Sequence, residues 1–118
     1  MKRISSGGPF EAKIGYCRAV VAGGWVHVAG TVGQGADVVA QCRSALEIID
    51  SALTEAGCGF EHAVRVTYYL PDASEFALCW PLLQARFGAN PPVATMVVAA
   101  LIDPKYRIEI ELTAYKGP

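Results

Sequence analysis

Hydrophobic and polar positions follow two different patterns within residues 91–114. In the second half of this stretch they alternate, so that one face of a predicted strand is formed by Ile108, Ile110, Leu112 and Ala114. In the first half, residues 94–101, both faces are apolar apart from Thr95, which is typical of a strand covered on both sides. The turn residues at 102–105 predict that the two strands form a hairpin. We expect helices of this chain to cover one face and a second subunit to cover the other.

A second hairpin is predicted near the N-terminus. Residues 19–22 and 25–29 are two apolar runs separated by Gly23 and Gly24, and two residues that tolerate positive φ favour a tight turn between strands. A short strand is also predicted at residues 2–5, before a break rich in serine, glycine and proline. The N-terminal third is therefore expected to be mainly strand.

An amphipathic helix is predicted over residues 37–56. Its apolar residues recur every three or four positions, and polar residues fall on the opposite side. Asp37 is a suitable N-cap and Gly57 a suitable C′ residue. The alternating residues 64–70 that follow, rich in β-branched and aromatic side chains, predict a strand.

A second helix is predicted to begin at residues 72–75, which have the spacing of a capping box, and to run to about Phe87. Pro81 predicts a kink or a fresh start within it. The order of elements is then strands, helix, strand, helix and strands. This order predicts an α+β fold, with two helices packed on one face of a sheet, in a single domain over residues 1–118.

Composition narrows the possible partners. Ten basic and 11 acidic residues give a net charge of −1, so we expect no nucleic-acid partner. Apolar runs are too short to span a bilayer and the first ten residues lack the apolar core of a signal peptide, so we expect a cytoplasmic protein without a membrane partner. A hydrophobic content of 53% is high for a small monomer, which again predicts an oligomer.

Cysteine and glycine spacing indicates no cofactor site. The four cysteines, Cys17, Cys42, Cys58 and Cys79, are scattered without a metal-ligand or redox spacing, which favours reduced thiols and no metal. Residues 30–35 are rich in glycine but lack the spacing of a phosphate-binding loop. His27 and His62 have no carboxylate or cysteine at supporting spacing and are interpreted as structural.

Several segments together resemble one known family, RidA (YjgF). They are Ile14-Gly15-Tyr16, Val28-Ala29-Gly30, DVVAQCRSALEIIDSALTEAG, VRVTYYL followed by SEF, and RIEIELTAYKGP. The resemblance implies a chorismate-mutase-like fold and a homotrimer whose sheets line a central barrel, with ligand clefts between subunits. It also implies hydrolysis of reactive enamines and imines to 2-keto acids and ammonia, which needs no metal or organic cofactor.

Four residues match positions of the family's cleft. By this resemblance Tyr16 lines the cleft, the backbone of Gly30 touches the ligand, and Thr95 lies beside the ligand carboxylate. Glu109 matches the glutamate that orients the attacking water. From the residues alone, the favoured interpretation is that Glu109 and Glu111 form a polar strand face, with one of them paired with Arg107.

Two positions depart from the family pattern. Val93 stands where an arginine clamps the substrate carboxylate, and Trp80 where the cleft has an asparagine. Valine supplies neither charge nor donor, whereas a bidentate guanidinium contributes both affinity and orientation. Arg18 and Arg107 are candidate replacements, although either also fits a surface cation.

Three functions follow from these residues. The first is an imine or enamine deaminase that acts on an atypical small-molecule substrate, because the carboxylate clamp is missing. The second is a trimer that binds a small molecule without catalysis. The third is a ribonuclease or translation inhibitor, as older labels of the family suggest, and the net charge of −1 argues against it.

Overall fold

Six strands form one mixed sheet in the computed structural model, which describes residues 1–118. The strands are β1 (Lys2–Ile4), β2 (Ala19–Ala22), β3 (Trp25–Val32), β4 (Ala63–Leu70), β5 (Val93–Val98) and β6 (Glu109–Tyr115). Their order across the sheet is β1-β2-β3-β6-β4-β5, and only the β4–β5 pair is parallel. β6 therefore lies inside the sheet, between β3 and β4.

Three α-helices accompany the sheet: α1 (Pro9–Ile14), α2 (Val38–Glu55) and α3 (Phe76–Phe87). Short 3₁₀ turns at Phe60–His62 and Ala73–Glu75 precede β4 and α3. α2 packs against β3 and β6, and α3 packs beside α2. None of the helices combines the length and apolar character needed to cross a membrane. The structure confirms the predicted α+β class.

The alternation in β6 divides the sheet into two faces, as the sequence predicts. Ile110, Leu112 and Ala114 are buried in the core beneath α2 and α3. Glu109 and Glu111 alternate with them and point to the opposite side, which we call the open face. Functional groups on the open face are thus held by a strand whose other face is fixed in the core.

Other local predictions are confirmed. The Asp37 carboxylate accepts a hydrogen bond from the Ala40 backbone N–H at 2.8 Å and caps α2. Gly57, just beyond the helix, has φ of +85°, which glycine adopts without strain. β2 and β3 form the predicted hairpin, with Ala22 paired with Trp25 across the two glycines.

The predicted hairpin between residues 94–101 and the last strand is wrong. β5 pairs in parallel with β4, and β4 separates it from β6. The reason is α3, which connects β4 to β5: a strand that returns through a helix enters the sheet parallel to the strand it left. β5 is consequently an edge strand, with Val93 and Val98 exposed by 56% and 59% in the single chain.

α1 is a helix that the sequence pattern does not predict. Pro9 occupies the first helical turn after Gly8, a position that suits its fixed φ. The Glu11 carboxylate accepts a hydrogen bond from the Gly8 N–H at 2.8 Å, and Gly15 ends the helix with φ of +95°. Six residues are too few to show a helical period, so only these end signals could have revealed the helix.

The predicted start of the second helix also differs in detail. Asp72 accepts a hydrogen bond from the Ser74 N–H at 3.0 Å in a 3₁₀ turn, and α3 begins only at Phe76. Glu75 does not complete a capping box, because its carboxylate pairs with Arg107. α3 runs through Pro81 without a fresh start. Pro81 lies in the first half of the helix, where it removes a single backbone hydrogen bond.

Candidate active site

A pocket of about 350 Å³ lies on the open face, where α1 meets β3 and the start of β6. It brings together four residues that the sequence analysis selected, Tyr16, Arg18, Gly30 and Glu109. The rest of its wall is apolar and consists of Phe10, Ile14, Ala29, Val32 and Ile102. An apolar pocket with a few convergent polar groups is the usual form of a small-molecule site.

Glu109 supplies the pocket with a half-buried carboxylate. Its neighbours in sequence, Ile108 and Ile110, are buried in the core, so the Glu109 side chain must point to the open face. No protein group donates a hydrogen bond to this carboxylate. Burial, and then the negative charge of Glu111, raise the pKa of Glu109, while Arg18 partly offsets them. A raised pKa in a pocket suits a group that accepts and returns a proton.

Gly30 has no side chain, and the Glu109 carboxylate occupies the space that a side chain would fill. A Cβ at Gly30 would collide with the Glu109 carboxylate. β3 carries one extra residue between Val28 and Thr31 relative to β6, a β-bulge that contains Gly30, while Val28 and Thr31 on either side stay buried. Val32 is the direct partner of Glu109, and the Glu109 carboxylate reaches across to Gly30. The backbone of Gly30 therefore forms the floor of the pocket beneath the carboxylate.

We expect Gly30→Ala to lower the free energy of unfolding by about 1–3 kcal/mol, the usual cost of over-packing. Urea unfolding of the purified proteins measures this loss. The matched control is the same substitution in a Glu109→Ala background, where the colliding carboxylate is gone and the loss should shrink. Equal losses in the two backgrounds would show that the contact with Glu109 is not the cause.

Arg18 anchors the floor of the pocket from below. It is only 6% exposed, and its Nη1 donates hydrogen bonds to the Gly30 carbonyl at 2.8 Å and to Thr31 Oγ1 at 2.9 Å. Its Nε donates to Ser6 Oγ at 3.2 Å. Its Nη2 lies 3.4 Å from the Tyr16 hydroxyl, and the guanidinium carbon lies 5.5 Å from the centre of that ring. Arg18 thus fixes both Gly30 and Tyr16.

Glu11 balances the charge of Arg18. It is 5% exposed, and one of its oxygens lies 3.8 Å from Arg18 Nη2. Its carboxylate accepts hydrogen bonds from Ser6 Oγ at 2.6 Å, the Gly8 N–H at 2.8 Å and Ser5 Oγ at 3.0 Å. Burial alone would raise the pKa of Glu11, but these hydrogen bonds outweigh it and the pKa is lowered. Glu11 was not among the residues predicted from the sequence, and its place three residues after Gly8 is the only local signal for it.

Comparison with known proteins identifies the family. The family model described as endoribonuclease L-PSP matches residues 8–116. The chain belongs to the RidA/YjgF family. The crystal structure of Rv2704 from Mycobacterium tuberculosis, a member of the YjgF/YER057c/UK114 family, superposes with a TM-score of 0.93 at 43% identity, covering 97% of this chain and 98% of that one.

Two further relatives of this RidA-family chain align over nearly the full length. An uncharacterised protein of Streptomyces coelicolor is 32% identical over 99% of this chain and 93% of its own. The 2-iminobutanoate/2-iminopropanoate deaminase of Rattus norvegicus is 28% identical over 100% of this chain and 93% of its own. Family membership agrees with the resemblance found in the sequence.

Within a single RidA-family chain, the remaining selected residues lie outside the pocket. Val93 and Thr95 are on the open face of β5, and Thr95 pairs with Thr67 of β4, which in turn pairs with Glu111 of β6. Thr95 is therefore two strands away from β6, about 10 Å at the usual strand spacing. Trp80 lies on α3 beside a second pocket, on the helix side of the sheet.

Arg107 does not reach the pocket either. Its Nε donates a hydrogen bond to Glu75 Oε1 at 2.9 Å, and its backbone N–H donates to Gln41 Oε1 at 2.7 Å. Glu111, which could have paired with it, instead accepts a hydrogen bond from the Tyr69 hydroxyl at 2.7 Å. Of the two open-face carboxylates of this RidA-family chain, only Glu109 has no protein partner.

Proposed function

We propose that this protein hydrolyses a reactive imine or enamine and releases ammonia. The observation that carries the proposal is the Glu109 carboxylate, which stands over Gly30 in the pocket without a protein hydrogen-bond donor. Relatives from rat, goat and human that are 27–28% identical are named 2-iminobutanoate/2-iminopropanoate deaminases, which supports the same chemistry. The reaction is the addition of water to a carbon–nitrogen double bond.

Glu109 acts as the acid–base group of that reaction. One carboxylate oxygen accepts a proton from a water molecule as the water oxygen bonds to the C=N carbon. The proton then passes from Glu109 to the nitrogen of the tetrahedral intermediate. The hydroxyl proton of the intermediate then passes through Glu109 to the same nitrogen as the C–N bond breaks with its electron pair going to nitrogen, so that ammonia leaves and a carbonyl compound remains. The raised pKa of Glu109 brings its basicity closer to the operating pH, which is where acid–base catalysis is most effective.

The proposed assembly is a trimer with ligand clefts between subunits. β5 supports it, since its outer edge has no partner strand and its apolar side chains, including Val93 and Val98, are exposed. Thr95, Val93 and Trp80 would then act in the pocket of a neighbouring subunit rather than in their own.

Light scattering at micromolar concentration is expected to give about three times the chain mass of 12.5 kDa. An apolar edge of this kind is normally covered in solution. A variant with charged substitutions at both Val97 and Val98 tests the interface, because these side chains are exposed in the single chain. Charges placed in a subunit contact should weaken assembly and lower the measured mass. A monomeric mass for the unmodified protein would contradict both the trimer and the shared pocket.

The substrate is proposed to differ from the simplest imines derived from amino acids. Val93 supplies no donor for a substrate carboxylate, and Val93 with Trp80 makes the cleft more apolar. The substrate is then either neutral or anchored in another way.

Hydrolysis of imines generated in situ by an amino-acid oxidase tests the enzyme proposal. Acidic and amidated amino acids would be compared, with ammonia and carbonyl release measured against the spontaneous rate. Acceleration for any member of the panel supports the proposal. No acceleration for imines of either kind would favour the alternative, a trimer that binds a small molecule without turnover.

A further inference from the structure

The charges around the pocket favour a cation as the ligand. Glu109 presents a half-buried carboxylate without a protein donor, and Glu111 adds a second negative charge on the same strand. A carboxylate that enters next to Glu109 would be repelled, whereas a cation would be attracted and would supply the missing donor. Only a positive group close to the pocket and free to bind the ligand could reverse this preference.

Arg18 is the only cation in the pocket wall; four of its five N–H donors are already in use, and the residue is only 6% exposed. All three guanidinium nitrogens contact protein oxygens, and the bonds from Nη1 to Gly30 and Thr31 are the shortest. Glu11 neutralises its charge from inside the protein. An incoming carboxylate would have to break these contacts to use Arg18, so this arginine does not replace a carboxylate clamp.

The other open-face arginines lie at the far end of the sheet. Arg65 pairs with Thr113 of β6 and with Val93 of β5. Arg3 pairs with Val20, whose next partner across the sheet is His27, and His27 also pairs with Thr113. Thr113 is four residues from Glu109 along β6, about 13 Å at the usual rise per residue. Neither arginine can bind a substrate group held against Glu109 of the same chain.

We infer, on the basis of the proposed function, that the substrate is a protonated imine without a carboxylate, derived from a primary amine rather than from an amino acid. Such an iminium carries one positive charge and two N–H donors, which complement the free Glu109 carboxylate. Its organic substituent meets the apolar wall formed by Phe10, Ile14, Val32 and Ile102.

The reaction balances with water as the only co-reactant: R–CH=NH₂⁺ and H₂O give R–CHO and NH₄⁺. One Glu109 oxygen accepts an N–H of the iminium and the other accepts a proton from the attacking water. That proton moves to the nitrogen, and the C–N bond breaks with its electron pair going to nitrogen. The hydroxyl proton passes through Glu109 to the ammonia, so that the aldehyde and NH₄⁺ form. The reaction that supplies such a substrate is the two-electron oxidation of a primary amine by a separate oxidase.

A matched pair of imines tests this inference. A flavin-dependent monoamine oxidase generates the imine of 2-phenylethylamine, and an L-amino-acid oxidase generates the imine of phenylalanine, which differs only by its carboxylate. Semicarbazide traps the imine that has not been hydrolysed as a semicarbazone. The decrease in semicarbazone formation when the protein is added gives the rate of catalysed hydrolysis. We expect kcat/KM to be at least about tenfold higher for the amine-derived imine, as differential recognition of one charged group allows.

The outcomes separate this inference from the proposed function. Equal or faster hydrolysis of the phenylalanine imine would overturn the inference and leave the deaminase proposal intact. No acceleration of either imine would overturn both. Arg65→Gln is the control for a cation supplied by another subunit: its selectivity should equal that of the unmodified protein, and a change would contradict the charge argument.

Binding provides a readout that does not depend on turnover. Calorimetry at neutral pH would compare 2-phenylethylammonium with phenylacetate, which have the same ring and opposite charges. We expect the ammonium ion to bind at least about tenfold more tightly, and this preference to disappear in Glu109→Gln, which keeps the size of the side chain. Tighter binding of phenylacetate to the unmodified protein would overturn the inference.

Discussion

Glu109→Gln is expected to lower kcat for imine hydrolysis by about 10²–10⁴-fold, the usual contribution of a positioned acid–base group. Glutamine keeps the volume above Gly30 but cannot take a proton from water. Ammonia release from an imine generated in situ measures the loss. Because glutamine fills the pocket but loses the charge that binds a cationic substrate, KM should rise by about tenfold, much less than kcat falls.

Glu111→Gln is the matched control for that substitution. Glu111 lies on the same strand face but is already bonded to the Tyr69 hydroxyl, so its replacement should cost activity less than about tenfold if it has no part in proton transfer. Equal losses in the two variants, or no loss in Glu109→Gln, would contradict the role assigned to Glu109.

Glu109→Gln, which is expected to lower activity, is expected to raise stability. The folded-state pKa of Glu109 is raised, so the native protein binds more protons than the unfolded chain between the unfolded value of 4.5 and the raised value. The ionised carboxylate therefore destabilises the fold at neutral pH, and this cost disappears as the pH falls through that window. We expect Glu109→Gln to be more stable than the unmodified protein at pH 7.5 in urea, with a smaller difference at about pH 4.

Glu11→Gln is expected to lower the free energy of unfolding by about 3–5 kcal/mol, because it leaves the buried Arg18 charge without its counter-charge. A loss of this size is a large part of the total stability of an ordinary domain, about 5–15 kcal/mol. Urea unfolding at one protein concentration measures it, since assembly makes stability depend on concentration. Glu61→Gln is the control: that glutamate is exposed and should change stability by less than about 0.5 kcal/mol.

The pH dependence of Glu11 runs in the opposite direction to that of Glu109. Its folded-state pKa is lowered, so its stabilising contribution is complete above the unfolded value of 4.5 and is lost as the pH falls through the lowered value. The difference between Glu11→Gln and the unmodified protein should therefore narrow in acid. A loss below about 1 kcal/mol at neutral pH, or one that grows in acid, would contradict the buried-pair argument.

Local sequence patterns predicted the positions of the strands and helices better than they predicted which strands pair. The alternation in β6 and the caps of α2 depend on neighbouring residues, and both are confirmed. The pairing of β5 depends on the connection through α3, which covers residues 71–92. The turn residues at 102–105 carry no information that β4 lies between β5 and β6. Turn chemistry indicates where the chain bends but not which strand it meets.

The candidate site shows the same division. Tyr16, Gly30 and Glu109 were selected by resemblance, and the structure brings them into one pocket with Arg18. Glu11 could not be selected, because its burial results from the fold of three separate segments around Arg18 rather than from any pattern in its neighbourhood. The contributions of Val93, Thr95 and Trp80 stay predictions that depend on assembly.

The extra residue in β3 means that the position of the Glu109 carboxylate above Gly30 depends on the exact length of this strand. Deleting one residue between Val28 and Thr31 would restore regular pairing with β6 and remove the bulge that holds Gly30 beneath the Glu109 carboxylate. Surface loops elsewhere can gain or lose residues at little cost, because the entropy of closing a loop changes slowly with its length. In evolutionary terms, insertions and deletions should accumulate around this segment but not within it.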